Sequence, residues 1–139
     1  MKLKIINHIA GVLLGLCFVA SSVPVLFHLM PIPKMPEGTP IAHFMAAFGP
    51  TGYMTIVKVC ELTGGILVAI PRTRNIGLLV LGPIIVNIIV FHATITSAKD
   101  LANPMLDAII VLALYLLWAG RKQFAGLLNC ACMEKVTNA

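Results

Sequence analysis

Four apolar runs, each close to the length of a bilayer-spanning helix, occupy most of this chain of 139 residues. A transmembrane helix needs about 20 mostly apolar residues to cross a hydrocarbon core about 30 Å thick. Four such helices with short connections leave no room for a separate soluble catalytic domain. Hydrophobic residues make up 59% of the chain and charged residues 11%, which is typical of an integral membrane protein.

The predicted fold is all-α, a polytopic membrane protein whose four transmembrane helices form an antiparallel bundle in one domain, residues 1–122. The predicted spans are residues 9–30, 53–70, 76–96 and 104–120. Residues 31–40 are rich in proline, which removes a backbone donor and restricts the preceding residue, so they predict an outer loop. Residues 41–48 then predict a short interfacial helix. Asn103 is expected to cap the last span, and residues 123–139 to form a cytoplasmic interfacial tail.

Basic residues are distributed unevenly around these spans. Lys34 and Lys99 fall on one side. Seven fall on the other side, namely Lys2, Lys4, Arg72, Arg74, Arg121, Lys122 and Lys135. The positive-inside rule therefore places both termini in the cytoplasm and the proline-rich loop outside. The net charge of +5 is explained by this topology and by contacts with lipid headgroups, and no nucleic-acid partner is predicted.

Lys58 is the tenth basic residue and lies within a predicted span. An ionisable group in a bilayer costs several kcal/mol unless it is paired or hydrated. Glu61 is three residues further on, so the two side chains share a helix face and can neutralise each other. At about 1.5 Å per residue, Lys58 would lie about 9 Å and Glu61 about 14 Å below the outer surface. Both an architectural ion pair and a functional site fit this pattern.

Three further polar residues are predicted at similar depths. Asn87 should lie near the bilayer centre, and His92 and Asp107 within about 6 to 8 Å of the outer face. Together with the ion pair they could relay protons or bind a polar headgroup. Asn87 and His92 point about 140° apart on one helix, so they cannot both face the same neighbour. His92 equally fits a hydrogen bond to a neighbouring helix or to interfacial water.

Histidines and cysteines give no metal or cofactor pattern. His28, His43 and His92 would lie toward the outer side, but their spacing is irregular and no metal site is predicted. Cys17 and Cys60 are expected to be buried single thiols within spans. The tail pair is Cys130 and Cys132, which supplies only half of a tetrahedral zinc site and should stay reduced in the cytoplasm; the role of this pair is left open.

Small residues predict where helices approach closely. Gly11 and Gly15 stand four apart in the first span, and Gly64 and Gly65 follow the ion pair in the second. Such spacing is typical of close contacts between transmembrane helices. The pattern favours packing within the bundle and also fits a homo-oligomer.

Two motifs carry a resemblance to a known family. The first is K-x-x-E-x-x-G-G over residues 58–65, and the second is G-P-x-x-x-N-x-x-x-F-H over residues 82–92. With the proline-rich loop and the basic turn, the chain resembles the DoxX-like family of small four-span membrane proteins over nearly all of its length up to Lys122. The resemblance implies this fold and a place in the inner membrane of a bacterium. The family takes its name from a subunit of a thiosulfate:quinone oxidoreductase, so the resemblance also implies a quinone-linked role.

Three functions fit the sequence. The first is a membrane redox component that binds a quinone or a similar lipophilic ligand between spans two, three and four, where Lys58 and Glu61 polarise or protonate its oxygen atoms. The sequence has no haem or iron–sulfur pattern, so a redox partner protein would supply the electron carrier and the chain would be an oxidoreductase subunit. The second is a non-catalytic scaffold that recruits partners. The third is a small-solute carrier, although four spans without evident inverted repeats make a poor transporter.

Overall fold

The computed structural model describes residues 2–29, 36–95 and 103–137, and for residues 127–137 it describes only the backbone. This part of the chain is helical and has no β-strand, which confirms the all-α prediction. Residues 31–35 of the predicted outer loop and residues 97–102, between the third and fourth predicted spans, lie outside the described residues. The same holds for Lys34, Lys99 and the side chains of Cys130 and Cys132. The five helices are α1 (Lys2–Leu26), α2 (Pro40–Phe48), α3 (Tyr53–Ala69), α4 (Arg74–Thr94) and α5 (Pro104–Thr137).

Three helices in the described part of the chain are long and apolar enough to cross a bilayer. They are α1, α4 and the Pro104–Gly126 part of α5. A fourth candidate consists of α2 and α3 together, which meet at a bend of 90°. By itself α3 has 17 residues, a rise of about 25 Å, which is slightly less than the thickness of a hydrocarbon core.

The first helix differs from its prediction at both ends, because it begins at Lys2 and ends at Leu26 instead of covering residues 9–30. His28 adopts the left-handed conformation with φ of 51°. The Leu29 N–H donates to the Pro24 carbonyl oxygen at 2.9 Å and the His28 N–H to the Val25 carbonyl oxygen at 3.4 Å. These two bonds form a Schellman motif, which satisfies the last carbonyl groups and ends the helix.

The basic turn between α3 and α4 caps the end of α3. Thr73 Oγ1 donates to the Leu67 carbonyl oxygen at 2.9 Å, and Arg74 Nε donates to the Val68 carbonyl oxygen at 3.3 Å. Arg74 was predicted to lie in the turn but is the first residue of α4. Its side chain lies against the backbone of Gly11 on α1. The turn therefore joins three helices in addition to carrying positive charge.

The last helix begins as predicted and continues further than predicted. The Met105 N–H donates to Asn103 Oδ1 at 3.0 Å, so Asn103 caps α5 and Pro104 occupies its first position. The helix does not end near residue 120 but reaches Thr137, because the segment after residue 120 has no proline and many helix-forming residues.

The four long helices pack in a ring in the order α1, α3, α4, α5, and each contacts the next. Buried residues recur every three or four positions on each helix, as one core-facing stripe requires. The main apolar ones are Leu14, Phe18, Val68, Leu78, Leu81, Ile85, Ile109, Ala113 and Leu116. Cys17 and Cys60, predicted as buried, are only half-buried free thiols.

All four glycines singled out in the sequence lie at helix contacts. A Cβ atom added at Gly15 would overlap the Gly65 carbonyl oxygen, so α1 and α3 touch backbone to backbone there. Gly11 faces the Arg74 side chain and Gly64 faces Leu81 on α4. This contact surface is thus occupied by helices of the same chain.

Candidate functional site

A cavity of about 270 Å³ opens between the helices, and all five helices contribute to its wall. Most of the lining is apolar, including Phe18, Val57, Leu106 and Ile109. The predicted site residues Lys58, Glu61, Asn87 and His92 also line it. Four of the five residues predicted as ligand or proton-relay candidates therefore share one space.

Glu61 is the most enclosed charged side chain of the cavity. Glu61 is 3% exposed. All hydrogen bonds that other described residues donate to its carboxylate are accepted by the Oε2 atom. Lys58 Nζ lies 2.7 Å away, Ser22 Oγ 3.2 Å and Ser21 Oγ 3.3 Å. Ser21 also contacts the Phe18 carbonyl oxygen at 3.0 Å, and its single proton can serve only one acceptor at a time. Ser22 and Lys58 are therefore the two dependable donors to Glu61.

The Lys58–Glu61 contact is the pairing that a spacing of three residues predicts. The Lys58 side chain remains 17% exposed and that of Glu61 is 4% exposed. An ammonium group has three N–H donors, and only one is used by Glu61. Lys58 therefore keeps donors for a ligand or for water in the cavity.

Asn87 and His92 reach the same cavity from α4, although their spacing directs them to different sides of that helix. His92 Nδ1 lies 2.8 Å from the Ile88 carbonyl oxygen, and because a carbonyl oxygen only accepts, Nδ1 carries the proton. Asn87 is exposed, and its amide makes no hydrogen bond within the part of the chain that the structure describes. Because Asn87 lines the cavity, its amide can bind a ligand or water there.

Aromatic side chains line one end of the cavity. Phe44 of α2 packs edge to face on Phe91 of α4, with ring centroids 5.0 Å apart. Phe48 packs on Tyr53, at the start of α3, with centroids 5.1 Å apart. Phe44, Tyr53 and Phe91 all line the cavity. These contacts hold α2 against the bundle at the end opposite the basic turn.

The structure does not bring Asp107 into this site. Asp107 is exposed, and the cavity wall from α5 includes Leu106 and Ile109 in its place. Residues 107 and 106 differ by about 100° around a helix, so placing Leu106 in the wall turns Asp107 away. Depth along the sequence therefore placed Asp107 near the others but did not specify its direction.

The histidines considered for a metal do not come together. His28 lies at the end of α1, His43 is exposed on α2, and His92 lines the cavity. Among the described residues, no three His, Cys, Asp or Glu side chains form a group that could hold a metal ion.

Sequence reasoning did not assign Ser21 and Ser22 to the site. They stand as two adjacent hydroxyls in an otherwise apolar span, a pattern that can indicate hydrogen bonding across helices. Ser22 is fully buried. The signal was therefore present, but only tertiary contact between α1 and α3 identifies Glu61 as the acceptor.

Comparison of the chain with protein families, with curated proteins and with solved structures finds no match. A paired lysine and carboxylate can donate to an oxygen atom and exchange a proton with it.

Proposed function

We propose that this protein is a DoxX-like four-span protein of the bacterial inner membrane that binds a quinone or a similarly lipophilic ligand, as one component of a membrane redox system. In this proposal α1, α3, α4 and α5 span the bilayer and α2 lies at its outer surface. Both termini are cytoplasmic. A partner protein carries electrons to or from the ligand.

The observation that carries the proposal is a cluster of polar groups inside an apolar cavity. Within the part of the chain that the structure describes, Lys58 has donors beyond the one used by Glu61 and the Asn87 amide makes no hydrogen bond, while most of the wall is aliphatic or aromatic. An apolar cavity with a few converging polar groups is the usual form of a small-molecule site. A flat, oxygen-bearing ring with an apolar tail fits both parts: its oxygens accept from Lys58 and Asn87, and its tail contacts aliphatic side chains.

The test measures thermal unfolding of the purified protein in detergent with increasing concentrations of a short-chain quinone analogue. At 100 times the dissociation constant, a ligand that binds only the folded state stabilises it by about 2.7 kcal/mol. We expect the parent protein to show this stabilisation and the double variant Lys58→Met/Glu61→Gln to lose it. The matched control is Asp107→Asn, which removes an exposed charge outside the cavity and should respond like the parent.

Organic extraction of the protein purified from membranes provides a second measurement. We expect a quinone to co-purify with the parent and to be depleted in the double variant. A parent protein that contains no quinone and gains no stability from the analogue would exclude this function.

The second candidate is a non-catalytic scaffold, which the enclosure of Glu61 favours. Its contacts with Ser21, Ser22 and Lys58 are all internal, so the ion pair also serves to fix how α3 faces α1. A scaffold should capture its partner from solubilised membranes even with Lys58→Met, whereas a redox component should lose activity although its fold is intact.

A further inference from the structure

A second concave surface lies between α1 and α5, separate from the candidate cavity. It is an apolar groove of about 450 Å³, called here the α1/α5 groove. It is lined mainly by Ile6, Ile9, Leu13, Val111, Leu112 and Tyr115. None of these residues lines the first cavity. Its lining is apolar and runs along α1 from Ile6 to Leu13, a rise of about 10 Å, which suits part of an aliphatic chain.

Helical geometry places one lysine of each helix on the groove side. Lys2 stands seven residues before Ile9, and Lys122 stands seven residues after Tyr115. Residues seven apart are separated by two helical turns and differ by only about 20° around the helix axis. Each lysine therefore lies on the same side of its helix as the residues that line the groove. Lys4 is nine residues before Leu13, about 180° around the helix, and therefore lies on the opposite side.

Both lysines lie at the same end of the molecule. Gly11 of α1 contacts Arg74, and Gly120 of α5 contacts Asn75, so the early part of α1 and the later part of α5 meet the start of α4. At this end, Trp118 is 59% exposed, and the Arg121 guanidinium lies 4.4 Å from its ring centre. Exposed tryptophan beside basic residues is typical of the headgroup level of a membrane.

A polar group also lies beside the groove. The Tyr115 hydroxyl donates to Asn7 Oδ1 at 2.7 Å. This bond fixes the amide with its oxygen engaged and leaves its Nδ2 as a donor. The bond also holds α1 against α5 beside the groove.

We propose that the α1/α5 groove is a binding site for an anionic phospholipid of the bilayer, with one acyl chain in the groove and the phosphate on Lys2 and Lys122. The positive charge at this end favours a lipid over a second copy of the protein as the occupant of the groove. A second copy in the same orientation would place its own basic residues next to Lys2 and Lys122, and like charges repel. A lipid with a negative headgroup neutralises them.

The test uses the fluorescence of Trp118, the single tryptophan of the chain. The protein is reconstituted in phosphatidylcholine vesicles that contain the same low fraction of brominated phosphatidylglycerol or of brominated phosphatidylcholine. We expect stronger quenching by the anionic lipid, because about 1 kcal/mol per lysine near the surface corresponds to about a fivefold preference each. Added salt should weaken the preference.

Charge variants distinguish a specific lipid-binding site from general electrostatic attraction between the protein and anionic lipids. Lys2→Gln/Lys122→Gln should lower the preference by about 25-fold at most. The matched control, Lys4→Gln/Arg72→Gln, also removes two positive charges outside the groove face and should retain most of the preference. If both double variants lose the preference for the anionic lipid to the same extent, the preference comes from nonspecific surface charge and the proposal is wrong.

A substitution that fills the groove tests the acyl chain separately. Val111→Phe places a ring in the groove and should reduce quenching by the anionic lipid. Val86→Phe is the control, because Val86 of α4 is similarly exposed, at 60% against 64% for Val111. If both brominated lipids quench the parent protein equally, Trp118 contacts only bulk lipid and the proposal is wrong. Quenching that falls as the protein concentration rises would also overturn the proposal, since a second copy would then occupy the groove.

Discussion

Glu61 is the residue on which the candidate site depends. It is an acidic group in the centre of an apolar bundle, and its environment supplies one ammonium and two hydroxyl groups to a single oxygen atom. The cost of placing a carboxylate in a low-dielectric interior is high unless such partners are present. Changes at its partners should therefore be measurable in the free energy of unfolding.

We predict that Lys58→Met and Glu61→Gln each lower the free energy of unfolding by about 1 to 4 kcal/mol, because each leaves a charged or polar partner unpaired. The double variant should recover part of this loss. Unfolding of the purified proteins in detergent measures all three. If both single variants are as stable as the parent, the pair contributes little, and Lys58 extends toward water through its long side chain.

Ser22→Ala should destabilise the protein more than Ser21→Ala. Removing a hydrogen bond to a charged group costs about 1.5 to 3 kcal/mol, and Ser22 is fully buried. Ser21 shares its proton between Glu61 and the Phe18 carbonyl oxygen, so its loss should cost less than about 1 kcal/mol. The same unfolding measurement compares them, and equal effects would contradict this division of roles.

At the scale of elements, the contact between α1 and α3 positions the site. Gly15 and Gly65 allow the two backbones to touch, and one to two turns further along, Ser22 meets Glu61. The distance between these helices therefore determines whether the serine hydroxyls reach the carboxylate. Small residues at this contact stabilise the polar network indirectly.

Gly15→Ala should destabilise the protein by about 1 to 3 kcal/mol, since overpacking forces the helices apart. The clash is with the backbone of Gly65, which cannot move aside as a flexible side chain can. The control is Gly126→Ala on α5, where an added Cβ meets nothing within 4 Å in the described part of the chain. That variant should be neutral or more stable by up to about 1 kcal/mol, because alanine is the better helix former. A stable Gly15→Ala protein would contradict the close approach.

At the scale of the whole molecule, apolar side chains face outward as well as inward. Leu16 of α1, Val86 of α4 and Val111 of α5 are each at least 60% exposed. A water-soluble protein rarely exposes apolar patches of this extent. The same surface suits the acyl chains of a bilayer, so the molecule is a membrane protein whose solvent on these faces is lipid.

The orientation that the distribution of basic residues predicts can be tested with single cysteines. With the four native cysteines replaced by serine, Glu37→Cys should react with a membrane-impermeant maleimide in intact cells. Arg72→Cys, in the basic turn, should react only after permeabilisation. The reverse pattern would show that the basic end faces outward.

Local signals along the chain specify most of the helix boundaries and the pairing of neighbouring polar groups. Apolar runs, prolines and caps predicted the start of α3 at Tyr53 and of α5 at Pro104, because these signals act within a few residues along the chain. The spacing of Lys58 and Glu61 likewise predicted their pairing, since residues three apart share a face of any helix. The end of α1 was placed too far along, because no glycine marks it and His28 adopts the left-handed conformation in its place.

The side of each helix that faces the cavity is set by the packing of the helices against one another. A helix that is apolar all round carries no periodic signal for its buried face, so depth along the chain grouped Asp107 with the site although its direction excludes it. Ser21 and Ser22 are joined to Glu61 across about 40 residues of sequence by the packing of α1 on α3. Contacts of this kind depend on how closely two helix surfaces fit in three dimensions, which the order of residues along one chain does not display.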